Sequence, residues 1–168
     1  MKSLLKITAL WGLGLVSITR VAGYRLRCKG GIYRKNSPIL NWSPPSPVFS
    51  PVENLPLIVS DQERSVLLEK AQDLLAGKLT FFSSVQYDMG SPPNWFLDPI
   101  TGEVLASSGH WSQLDEFSGG DIKLLWESSR FEWAPRFAQA WRVSGDQQFL
   151  EALNHWIVNW IKQNPINQ

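Results

Sequence analysis

The densest set of groups able to do chemistry is Asp121, Lys123, Trp126, Glu127 and Arg130, directly after Gly119-Gly120. Lys123 or Arg130 is suited to hold a sugar carboxylate or sulfate through charge-assisted hydrogen bonds, and a tryptophan offers a flat apolar face to a sugar ring. Glu127 and Arg130 stand three apart, so on a helix they pair directly, and a structural ion pair is the competing role for both. Tryptophan is over-represented, at nine of 168 residues, and most of the nine must be core. Trp95, Trp111 and Trp126 are the ones left to meet a sugar once stripe and core positions are set aside. The candidate binding set is therefore Trp95, Trp111, Lys123, Trp126 and Arg130.

Other chemistries are harder to assemble. The carboxylates Asp115, Glu116, Asp121 and Glu127 would serve a glycosidase only if two of them faced each other across a bond, and chain spacing does not place any pair so. His110, next to Trp111, is a candidate base or ligand, but the only other histidine is His155, and no metal-ligand spacing links it to a carboxylate. The single cysteine, Cys28, excludes an internal disulfide and a multi-cysteine metal cluster. In its basic setting it is a candidate lipidation site, with a buried or idle thiol as the blander role. There is no phosphate-cradling glycine loop and no Ser-His-Asp order. No catalytic residue, metal ligand or cofactor is assigned from the residues.

These groups must be positioned by helices. Ser60 and Glu63 form a capping box ahead of a helix with Leu67, Ala71, Leu74 and Leu75 on one face, and Gly77 supplies its stop. Asp146 caps a last helix in which Phe149, Leu150, Leu153, Trp156, Ile157, Trp160 and Ile161 make a wide apolar stripe. Trp126, Trp133, Phe137, Ala140 and Trp141 give the preceding helical pattern, joined to the last by Ser144-Gly145-Asp146 as an αα-hairpin. Pro135 predicts a kink or a fresh start, with residues 122–132 as a separate turn or two. Residues 80–120 show neither helical nor strand period. They carry Phe81, Phe82, Trp95, Phe96 and Trp111 among turn-forming residues, as a connection that lines a site would.

The charge divides the chain. Sixteen Lys plus Arg against fifteen Asp plus Glu give a net charge of +1, too even for a protein that wraps nucleic acid. Up to Val52, however, there are eight basic residues and no acidic one, leaving −7 for residues 53–168. Within the basic part, Ile7 to Thr19 is an uncharged, largely apolar run of thirteen residues, short of the roughly 20 that span a bilayer as a helix. Lys2 and Lys6 ahead of it suit a secretory signal, but Arg20 and the five cations after it resist translocation. An amphipathic helix on the body or on an anionic membrane surface is the preferred reading. Cytoplasmic and membrane-surface locations are favoured accordingly, with periplasmic or secreted ones still open. Six of the eleven prolines fall in residues 36–56, as an arm or linker. The expected organisation is a basic leader at 1–35, a proline-rich arm at 36–59 and a helical body at 60–168.

The order Trp95 to Asp98-Pro99-x-Thr101-Gly102, His110-Trp111, Asp121-Ile-Lys123-Leu-Leu-Trp126-Glu127-Ser-Ser-Arg130-Phe131, Ala138-Gln-Ala140, Ser144-Gly-Asp146 and Trp160-Ile-Lys-Gln-Asn164-Pro165 resembles the N-terminal domain of the heparinase II/III-like polysaccharide lyases, from about Ser60 onward. The resemblance implies an all-α fold, part of an incomplete α/α toroid of helix hairpins, here with a long aromatic-rich loop region and a basic, proline-rich arm. It also implies β-elimination on uronic-acid-containing glycans without a redox cofactor. The partner would be an acidic polysaccharide. The family's neutralising asparagine, and the tyrosine and histidines that act as base and acid, lie beyond the Asn164-Pro165 stretch, so the expectation is a truncated segment with groove surface and no turnover alone. Such a segment exposes hairpin faces and is expected to self-associate. Alternatives are a glycan-binding or assembly module at a membrane surface through residues 1–35, or a toroid-type glycosidase fragment.

Overall fold

The computed structural model describes residues 14–51, 58–104, 109–113 and 122–167, and these are largely helical with one small β-hairpin. They divide into two compact units. The first comprises the described residues up to Leu40, residues 109–113 and the Ile166–Asn167 end; the second comprises residues from Asn41 to Val104 and from Ile122 to Pro165.

In the first unit, α1 (Gly14–Lys29) includes the final part of the apolar run, whose earlier residues lie outside the described ones. Arg27 and Lys29 occupy its last turn, where cations complement the carbonyl end of the helix dipole. Gly31, at φ 68°, reverses the chain into α2 (Ile32–Asn36). Rings then hold the unit together: Tyr24 meets Tyr33 at 5.9 Å between centroids, Tyr33 meets Trp111 at 5.2 Å, and Trp111 meets His110 at 5.2 Å. The pairing of Leu40 with Ile166, through two 3.0 Å backbone bonds, closes it.

The second unit opens with α3 (Asp61–Leu75). Ser60 Oγ accepts the Glu63 N–H at 3.3 Å while the Ser60 N–H donates to Glu63 Oε2 at 2.8 Å, which is the capping box the sequence announces. The Ser60 N–H, and after it the Ser60 hydroxyl, which donates to the same Oε2 at 2.7 Å, hold the Glu63 carboxyl below its usual pKa. The helix buries Ala71 and Leu74 and ends at Gly77, whose φ of 85° is the left-handed stop.

Here the structure corrects the expectation that residues from 80 onward lack a period. β1 (Lys78–Phe81) and β2 (Val85–Asp88) pair antiparallel with Phe81 opposite Val85. Lys78 and Thr80 face out and Leu79 and Phe81 face in, a period of two that is legible in retrospect. The turn is what concealed it, because Phe82 and Ser83 take left-handed φ values of 53° and 59° without the glycine or asparagine that usually marks such a turn. Further on, Asp98 is buried and its carboxylate accepts the Ile100 and Thr101 N–H groups at 2.8 and 3.2 Å, so the Asp-Pro-x-Thr-Gly run is a self-satisfied turn.

Three helices complete the unit: α4 (Ile122–Ser128), α5 (Trp133–Ser144) and α6 (Gln147–Gln163). Pro135 marks a fresh start, as expected. It sits in the first turn of α5, where its missing N–H costs no intrahelical bond. Gly145, at φ 75°, ends α5, and Asp146 Oδ1 accepts the Gln148 N–H at 3.0 Å to start α6. Helices α5 and α6 form the αα-hairpin, and α3 packs against α5. Between them lies the core, dominated by rings: Trp95, Trp133, Phe137 and Trp156 are all buried and touch edge-to-face or tilted at 5.0–6.4 Å.

Candidate functional site

The described part of the polar cluster, residues 123–130, is gathered by α4. Lys123, Trp126, Glu127 and Arg130 recur at three, four and seven residues from the first, one side of a helix, with Arg130 just past its end. Lys123 is exposed, and Trp126 keeps 59% of its surface in solvent, the most of any tryptophan in the described residues. Glu127 turns inward: its side chain is 5% exposed against 60% for Arg130, and Arg130 Nη1 meets Glu127 Oε1 at 3.0 Å. The other carboxylate oxygen accepts the Phe82 N–H at 3.4 Å. One carboxylate therefore fastens the α4 end and the strained hairpin turn together.

Glu127 also forms part of the wall of an open pocket of about 340 Å³. Lys70 from α3, Lys78 from β1, and Glu132, Trp133 and Arg136 at the start of α5 line it as well. Lys78 pairs with Asp73 at 3.2 Å, and Gln86 Nε2 donates to the same carboxylate at 3.2 Å. The Gln86 bond and then the Lys78 bond hold the Asp73 carboxyl below the usual carboxylate range. Lys70 and Arg136 enter no ion pair among the described residues, so two cations with uncommitted donors face a space the size of a sugar unit or two. Neither was among the sequence candidates. Arg136 is one residue past Pro135 in an apolar helix pattern, and only the packing of α3, β1 and α5 brings it to Lys70 and Lys78.

The remaining candidates do not join this cluster. Trp95 is 2% exposed within the core, and its Nε1 donates to Asn159 Oδ1 at 2.7 Å, so both its faces and its polar atom are occupied. Trp111 belongs to the first unit, between Tyr33 and His110. His110 is itself 1% exposed. Its Nε2 lies 2.7 Å from the Ser37 carbonyl, which can only accept, and Nδ1 receives the Ser112 N–H at 3.2 Å. The ring is thus the Nε2-protonated tautomer and serves as a tie between the end of α2 and the turn at Trp111. Asp115, Glu116 and Asp121 lie outside the described residues. Among the described residues no group of three His, Cys, Asp or Glu could hold a metal ion.

Chemically, the pocket can bind an anion, and α4 carries an exposed ring that is not among the pocket's lining residues. Arg136 and Lys70 offer charge in the pocket, Arg130 and Lys123 offer it along α4, and Trp126 offers the exposed indole face. Comparison of the chain with protein-family models, with curated proteins and with solved structures finds no match.

Proposed function

We propose that this chain is a helical, glycan-binding segment of a polysaccharide lyase of the heparinase II/III-like kind, in which the α5–α6 hairpin is one unit of an incomplete α/α toroid and the pocket beside α4 takes an acidic sugar. The observation that supports this best is a pocket that holds the uncommitted cations Lys70 and Arg136, with an exposed indole, Trp126, on the same helix as its wall residue Glu127. A sugar carboxylate would replace water on an arginine fork, and a pyranose ring would lie on the indole. The resemblance places the asparagine, tyrosine and histidines of β-elimination outside the matched motifs, so the share proposed for the matched residues is binding and orientation, with no catalytic residue and no cofactor assigned to them.

Titration with uronate oligosaccharides, heparin-derived and alginate-derived, followed by tryptophan fluorescence, tests the reading. Binding should weaken at least about fivefold in Trp126→Ala and in Arg136→Ala, the loss expected for one stacking face or one charge-assisted contact. Lys123→Ala and Arg130→Ala should weaken it less, and a neutral oligosaccharide should not bind. Unchanged affinity in both Trp126→Ala and Arg136→Ala would remove the site. Unsaturated-uronate absorbance produced by the purified chain would overturn the restriction to binding.

A further inference from the structure

Helix α1 has two sides that its packing distinguishes. Tyr24, though 39% exposed, meets Tyr33 in a tilted ring contact and so marks the side that faces its own unit. Leu15 is nine residues before Tyr24, about 180° around the helix at 100° per residue, and Leu26 is about 200° beyond it. Leu15, Thr19, Ala22 and Leu26 therefore run as one stripe along the outer side. All four are exposed, Leu15 at 78% and Leu26 at 70%. Arg27 borders that stripe on one flank and Lys29 on the other, whereas Arg20, four residues before Tyr24, lies nearer the Tyr24 side; Arg25, Arg34 and Lys35 add to the same short stretch of chain. All six cations are exposed, none enters an ion pair among the described residues, and no acidic residue precedes Glu53.

We infer that α1 docks flat on an anionic lipid surface, with Leu15, Ala22 and Leu26 entering the headgroup boundary and Arg27 and Lys29 reaching to lipid phosphates on either side. The charge pattern by itself would suit any polyanion. The leucines select lipid, because a soluble polyanion gains nothing from an exposed apolar stripe, whereas a bilayer buries it while flanking cations extend to the headgroups. No described helix is long and apolar enough to cross a membrane, so the contact is a surface one.

Co-sedimentation of the full chain with phosphatidylcholine vesicles, and with the same vesicles containing phosphatidylglycerol, tests this directly. The wild type should pellet with the anionic vesicles, stay in solution with the neutral ones, and be released as salt rises. Each cation at such a surface is worth roughly fivefold, so Arg27→Gln with Lys29→Gln should weaken binding about twenty-five-fold. Leu15→Ser with Leu26→Ser should weaken it about tenfold while leaving the circular dichroism unchanged, since neither side chain is packed. Equal binding or equal failure with the two vesicle types overturns the inference whatever the variants do. Retention of full binding by the leucine variant, together with equally tight capture of heparin or duplex DNA, would reassign α1 to a soluble polyanion and overturn it as well.

Discussion

Replacing Glu127 by alanine is expected to destabilise the second unit by about 2–3 kcal/mol, although Glu127 belongs to a pair that looks like a surface ion pair in the sequence. The magnitude comes from three losses. The Phe82 N–H loses its acceptor; at 3.4 Å the bond is long and belongs near the weak end, about 1 kcal/mol. The contact with Arg130 is lost too, and because that partner is 60% exposed the attraction is screened to about 0.5–1 kcal/mol. Truncating a side chain that is only 5% exposed leaves a small void worth about 1 kcal/mol. Glu127→Gln keeps an acceptor of the same shape and should cost about 1 kcal/mol, while Arg130→Ala leaves an inward carboxylate with one long bond and should cost about 1–2 kcal/mol. Urea unfolding followed by far-ultraviolet circular dichroism, with the four corners of the Glu127/Arg130 cycle, gives all of these from shifts in midpoint at constant slope. A Glu127→Ala protein within about 0.5 kcal/mol of wild type, the usual range for a surface change, would refute the role of this carboxylate in joining α4 to the hairpin turn.

Three further outcomes are expected. Glu63 and Asp73 titrate lower folded than unfolded, so the stability they contribute is complete above the usual carboxylate range and is lost as pH falls through their lowered values. The urea midpoint should therefore drop on acidification below about pH 5, and Glu63→Gln with Asp73→Asn should flatten that drop; an identical acid limb in the double variant would count against it. In Gly77→Ala the new methyl meets the Gly90 backbone at 3.0 Å, at a φ of 85°, so a loss of about 2 kcal/mol or more is expected in the same unfolding assay, and a neutral result would contradict the close approach. His110→Phe strands the half-buried Ser37 carbonyl and Ser112 N–H, at a cost of about 1–2 kcal/mol. Hydrogen exchange at Leu40 and Trp111, whose N–H groups bond to Ile166 and Asn167, should accelerate, and unchanged protection there would show that the ring does not hold the unit.

Local chemistry carried the reading furthest where a neighbour in sequence supplies the partner. Ser60 with Glu63, Asp146 with Gln148, and Pro135 in the first turn of its helix all act within three residues, so each boundary was legible. The β-hairpin was not, since its left-handed turn at Phe82 and Ser83 is stabilised by Glu127, 45 residues away, rather than by turn residues of its own. The tryptophans show the same division. Trp95 and Trp126 both stand in polar, turn-rich or charged surroundings in the sequence, yet one is sealed in the core on Asn159 and the other is open to solvent.

The sequence by itself therefore determined the helical body, its caps, the αα-hairpin and the separation of a basic leader from an acidic remainder, because periodicity, capping and charge are properties of near neighbours. Only tertiary structure decided which cations converge. Lys70, Lys78 and Arg136 come from three elements whose meeting depends on how α3, β1 and α5 bury their apolar faces, and the polar residues opposite those faces carry no pattern that specifies it. Likewise the sequence supplied the leucines and cations of α1, but the tilted contact of Tyr24 with Tyr33 fixed which side of that helix faces its own unit.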